Sequence, residues 1–159
     1  MVKSVSKIAE IKSPLYLTWN MRLLGIVFTV FTLIVTIVPD LMRENPFLVY
    51  QLVLSIPFLA ASSMIRMKQA AIDDPGRLDK YGHFTFLVGY ASIINSIGIV
   101  LASAVSISAG VIFILANMIV AIMYSLILIA KCNESIWKRV RKDILFVVLL
   151  VAFGLLIIL

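Results

Sequence analysis

Ionised side chains are scarce in this chain, and where they are missing matters more than how few there are. Only 14% of its 159 residues are Asp, Glu, Lys or Arg, and between Phe84 and Ala130 there is none for 47 residues. Soluble domains average about 25% charged and about 45–50% apolar, whereas this chain is 62% hydrophobic. A water-soluble core is thereby excluded. Glycine and proline are also few, 7 and 5, and no Gly/Ser/Pro-rich or low-complexity stretch marks a linker, so residues 1–159 are expected to form a single transmembrane domain. The one cysteine, Cys132, leaves no internal disulfide to draw and reads as a filler at a membrane interface. Phosphate-binding glycine loops, Cys/His metal motifs, nucleophile elbows and dinucleotide fingerprints are all absent, and no cofactor is implied.

What is present is apolar length. As a helix, the 47-residue run would extend roughly 70 Å, about twice the ~30 Å hydrocarbon core of a bilayer, with residues left for a turn. It reads as a hairpin of two membrane spans turning near Ser106. Three more apolar segments complete an all-α integral membrane protein, a bundle of five transmembrane helices with spans at about 16–38, 47–65, 84–105, 108–130 and 144–159. The first and fifth apolar cores are short and need their flanks: Tyr16, Leu17, Trp19 and a snorkelling Arg22 for the first, Asn133 or Ser135 as N-caps and Trp137 for the fifth. Pro39-Asp40-Leu41-Met42 after the first segment does not resemble a signal-peptide cleavage site, so that segment is expected to be retained. Residues 1–15 mix Val5, Ile8 and Leu15 with Lys3, Lys7 and Glu10 before Ser13-Pro14. They suggest an N-terminal interfacial helix or a basic tail, broken at the proline.

Thirteen of the fourteen Lys and Arg fall before the first span, between the second and third, or between the fourth and fifth; Arg43 alone lies opposite. The positive-inside rule then makes the N-terminus cytoplasmic and, after five crossings, the C-terminus external. The net charge of +6 is accounted for by basic loops facing anionic headgroups, so the partner it indicates is the lipid bilayer of the cell membrane and not nucleic acid.

No Asp, Glu, Lys, Arg or His interrupts the five apolar cores, and those residues are the usual marks of proton relays and ion-coupled transport. The spans carry neutral polarity in its place. Gln51 and Ser55, with Phe58 and Ser62, share a face of the second span, which Pro57 should kink. Asn95 and Asn117 fall at equal depth if the hairpin turns at Ser106, and should form a mid-membrane amide pair. Gly110, Asn117 and Tyr124 recur every seven residues, the spacing of a helix-packing seam. Gln51, Ser55, Asn95, Asn117 and Tyr124 are therefore the candidate pore-lining or helix-packing residues. Outside the spans, the loop holding Asp73, Asp74, Asp79 and the sole histidine, His83, is the only place with acid–base or metal-binding chemistry, although Asp73-Asp74-Pro75-Gly76 also has the composition of a turn.

Three functions fit these residues. The first is an oligomeric channel or passive facilitator for a small ion or solute, since five helices alone make a narrow bundle and a homo-oligomer would supply a pore. The second is a non-catalytic partner or assembly subunit bound to other membrane subunits. The third is an interfacial lipid-modifying enzyme built on the Asp73–His83 loop.

Overall fold

A computed structural model of the chain describes the backbone of residues 2–37, 39–69, 76–132 and 136–159; it describes their side chains except at 2–17, 37, 69, 76–77, 128, 131–132 and 138–139. The described residues are almost wholly helical and include no strand. In hydrocarbon each unpaired backbone group costs several kcal/mol, so an apolar chain with no sheet to close must pair its backbone along helices. The elements are α1 (Val2–Ile37), α2 (Pro39–Glu44), α3 (Pro46–Gln69), α4 (Gly76–Ala104), α5 (Ile107–Cys132) and α6 (Ile136–Leu150); α6 runs on through a π-helical turn, Val151–Leu155, into a last turn, α7 (Leu156–Ile158).

Local chemistry sets the boundaries. α2 and α3 each open on proline, which fits the first turn because its missing N–H has no partner there in any case. Asn45 separates the two, and its carbonyl accepts from Leu48 N–H at 3.0 Å. Between α4 and α5 the chain turns at Val105-Ser106 as expected, with Ser106 Oγ accepting the Ala109 N–H at 3.2 Å as an N-cap. Arg66 and Lys68 lie in the last turn of α3 and Asp79 in the first turn of α4, each favourable to the helix dipole. Thr29, Thr36 and Ser63 return their hydroxyls to carbonyls one turn back, which removes free donors from an apolar surface.

Four of these helices are long and apolar enough to cross a membrane: Thr18–Thr36, Pro46–Lys68, Leu78–Ala104 and Ile107–Ile127. The described residues are thus nearly all helical, with the four apolar helices of a multi-pass membrane protein. The fifth expected span is not among the four because its α-helical part, α6, has 15 residues, too few for ~30 Å at about 1.5 Å each. Two expectations need correction. Ser13-Pro14 does not break the helix: α1 is continuous from Val2, since a proline costs its helix one bond without ending it where the remaining pairs hold. α4 begins at Gly76 and not near Phe84, so Asp79 and His83 belong to a helix rather than a loop. The proposed caps Asn133 and Ser135 lie outside the described residues.

The chain gathers into two compact units. The first takes residues 1–39 and 52–90, and so contains α1, most of α3 and the first half of α4. Val27, Ile34, Leu52 and Leu59 form its buried apolar positions, and Arg22 lies over the Trp19 ring at 6.0 Å on the exposed side of α1. The second takes residues 40–51 and 91–159, with Leu48, Ile94, Ile99, Ile114, Phe146 and Leu150 buried. There α4 and α5 approach closely. A Cβ on Gly110 would stand 2.5 Å from the Gly98 carbonyl and 2.7 Å from the Ala102 methyl, contacts no larger residue could make. Because lipid is as apolar as a leucine side chain, backbone approach and hydrogen bonding hold membrane helices together more than burial does. On α5, large apolar side chains such as Ile112, Ile119, Val120, Met123 and Leu126 remain exposed, the surface a helix presents to acyl chains.

Candidate functional site

Each unit contains a cluster of neutral polar groups turned inward. In the second unit the cluster surrounds the π-helical turn. Asn95, 1% exposed on α4, donates through Nδ2 to the Leu149 carbonyl at 3.2 Å, and Gln51, at the N-terminal end of α3, donates through Nε2 to the Phe153 carbonyl at 3.4 Å. The two carbonyls are four residues apart and bracket the point where the α-helical pattern slips: the Leu156 N–H reaches back five residues to the Val151 carbonyl. Such π-turns carry one extra residue and occur often at functional positions. Gly154 sits inside this one and is buried; a Cβ there would collide with Asn95 Oδ1 and stand 2.8 Å from Ile114 Cδ1. Only glycine lets the turn lie against the amide. Ser92 and Ser96 are buried beside Asn95 on α4, with Ser96 Oγ donating to the Ser92 carbonyl at 2.8 Å. At another point in this unit Ser125, 3% exposed on α5, donates to the Asp143 carboxylate on α6 at 2.7 Å, a charge-assisted bond between the two helices.

In the first unit Asn20 Nδ2 donates to Ser62 Oγ at 3.0 Å, and Ser62 Oγ donates to the Gly82 carbonyl at 3.0 Å, a chain of bonds through α1, α3 and α4. One helical turn beyond Ser62, Arg66 binds Asp79 at 2.6 Å; the arginine side chain is 10% exposed and the aspartate 58%. Two amide oxygens, Asn20 Oδ1 in this unit and Asn95 Oδ1 in the second, are buried and accept no hydrogen bond. An unmet acceptor in a buried site costs about 1–3 kcal/mol, and a few such groups per hundred residues are usual in folded proteins.

The candidates read from the sequence separate accordingly. Gln51 and Asn95 come together on the last helix, and Ser55 is fully buried but returns its hydroxyl to the Leu52 carbonyl at 2.7 Å. Asn95 and Asn117 do not form the expected amide pair: Asn117 Nδ2 bonds the Phe113 carbonyl of its own helix at 2.9 Å, while Asn95 is claimed by α6. Equal depth on a hairpin fixes level but not azimuth, and a third helix competes for the amide. The seven-residue seam of α5 is likewise partial, since Gly110 is buried, Asn117 half-buried and Tyr124 57% exposed. Asp73 and Asp74 lie outside the described residues. Asp79 is held by Arg66, His83 stands one turn along α4, and no group of three or more His, Cys, Asp or Glu comes together among the described residues.

Sequence reasoning missed Asn20, Arg66 and Gly154. An amide at the mouth of the first apolar run, directly after Trp19, was a signal for the first. A π-turn has no residue signature, and Gly154 looked like any small residue in an apolar helix. No model of a known protein family, no curated protein and no solved structure is significantly similar to this chain.

Proposed function

We propose that this multi-pass membrane protein is a passive facilitator: a small oligomeric channel for an uncharged or weakly held solute or ion, in the cell membrane. The observation that carries this reading is the buried, unsatisfied amide oxygen of Asn95 beside the π-turn, in a cluster without an ionised side chain. A packing contact gains most when every polar group is paired. A conducting site must instead keep an acceptor open, weak enough to release what it binds. Gln51 and Asn95, both in the second unit, are the pathway candidates under this reading. In the proposed topology α6 with its π-turn and α7 completes a fifth crossing of a single transmembrane domain, with the N-terminus cytoplasmic and the C-terminus external, in keeping with the distribution of Lys and Arg.

One observation favours the partner-subunit alternative. The α5 seam begins at a buried Gly110 and ends at an exposed Tyr124, a continuation that a helix of another membrane subunit would cover. An interfacial enzyme draws no comparable support from Asp79, which is engaged by Arg66. The test is flux. Purified protein in liposomes should pass at least one small solute or ion faster than protein-free vesicles, and should run as an oligomer in mild detergent. A monomer in vesicles no leakier than the controls, across a broad panel, would favour the partner subunit.

A further inference from the structure

Arg22 and Arg66 pose the same problem, a guanidinium on an apolar helix of the first unit, and only one of them is answered inside the protein. Arg66 turns inward and binds Asp79 at 2.6 Å. Arg22 is exposed, on the side of α1 away from the buried Asn20 and Val27. It lies four residues past Thr18, where the membrane-crossing stretch Thr18–Thr36 begins, and so about 6 Å into it at ~1.5 Å per residue. The side chain leans back toward the helix N-terminus, as helical side chains do, and its guanidinium carbon stands over the Trp19 ring at 6.0 Å. That returns the charge to the level at which the helix enters the membrane. Beyond each other, neither the guanidinium nor the indole, 54% exposed, has a hydrogen-bonding or ionic partner among the described residues. The one acidic side chain described in this unit, Asp79, is taken by Arg66.

The cation is therefore left to complete its contacts from outside. A guanidinium presents a planar fork of donors matched to a phosphate, the ring beneath it restricts how the fork can swing, and the indole N–H is a further donor. Around the pair Thr18, Met21, Gly25 and Ile26 are exposed, and none is acidic. A Cβ on Gly25 would meet nothing within 4 Å, so the helix surface just deeper than the guanidinium is open to a lipid's glycerol ester and acyl chains. Charge selects the occupant. A second copy, inserted in the same sense, would bring its own Arg22 to this depth, guanidinium against guanidinium. The phosphate of a phosphatidylcholine already carries a choline cation, whereas that of an anionic phospholipid does not. We propose that Trp19 and Arg22 form a headgroup site for an anionic phospholipid: Arg22 holds the phosphodiester through its fork, Trp19 braces the arginine, and an acyl chain runs along the open face past Gly25. The site does not depend on whether the chain conducts.

The experiment uses the chain's two tryptophans. In the full chain carrying Trp137→Phe, emission comes from Trp19 alone. This protein is placed in vesicles of phosphatidylcholine and phosphatidylglycerol in which one lipid or the other has brominated acyl chains, which quench an adjacent indole. Quenching across a series of compositions gives the relative affinity of the two lipids at Trp19. It should favour phosphatidylglycerol about threefold or more, and about twofold should persist in about 1 M salt, where the screening length is ~3 Å, because a contact pair is screened less than a diffuse potential. Arg22→Gln should abolish the preference with helicity unchanged, whereas Arg141→Gln, the same loss of charge in the other unit, should leave it intact. Equal affinity for the two lipids at Trp19 in the starting protein would overturn the site. So would a preference that vanishes in salt, or one that falls equally in Arg22→Gln and Arg141→Gln, since both are signs of a general surface potential. The salt series decides the matter if Arg22→Gln fails to fold.

Discussion

Arg66 and Asp79 tie the end of α3 to the first turn of α4 through a 2.6 Å bond in which the two partners are unequally immersed, the arginine side chain 10% and the aspartate side chain 58% exposed. The desolvation cost falls on the arginine. The aspartate keeps water on one side and also benefits from the α4 N-terminus.

That inequality predicts an asymmetric response to mutation. Asp79→Asn should destabilise by about 1–2 kcal/mol, because it leaves a buried cation half-compensated while solvent screens the rest. Arg66→Met should cost less, since it removes the desolvated charge and keeps an apolar stem in place. Denaturation midpoints of the two variants in the same micelle give the order; a larger loss in Arg66→Met would show that the arginine, and not its solvation, dominates.

The amides give a second prediction, concerning independence. Asn95→Leu and Asn117→Leu should add to within about 0.3–0.5 kcal/mol in a double-mutant cycle, because the first is bonded to α6 and the second to its own helix. A coupling energy near 1 kcal/mol would restore the facing amide pair read from the hairpin.

Close approach at Gly110 gives a third. Gly110→Val should destabilise by about 1–3 kcal/mol, since the added carbons would have to displace the Gly98 backbone rather than a flexible side chain. Gly25→Ala is the control: nothing lies within 4 Å of a Cβ there, so this change should be neutral or slightly stabilising. Equal effects of the two substitutions on thermal stability would argue against a tight α4–α5 crossing.

Topology is the fourth. With thirteen of fourteen basic residues on one side of a five-crossing arrangement, a reporter fused after Leu159 should be active only outside the cytoplasm, and a cysteine placed at Ser135 should label only from the inside. Cytoplasmic activity at Leu159 would mean that α6 and its π-turn do not cross, leaving the four helices that satisfy length and hydropathy.

The amino-acid sequence by itself determined the helical class, the apolar spans and the hairpin, but not where α4 begins or that α1 runs through Pro14. A charge-free run of about two spans pairs its backbone along two helices, and Ser106 caps the turn where the sequence reading placed it. It also picked out Gln51 and Asn95, because an amide in an apolar run is costly wherever the helix points. Tertiary structure decided which partner each amide found. Azimuth around a helix, the reach of a third helix and a one-residue slip in backbone register have no local signature, so the Leu149 and Phe153 carbonyls, the π-turn and the role of Gly154 appear only once the helices of that unit are assembled. Asn20 has the same explanation: its neighbours in sequence are Trp19 and Met21, but its hydrogen bond goes 42 residues away, to Ser62.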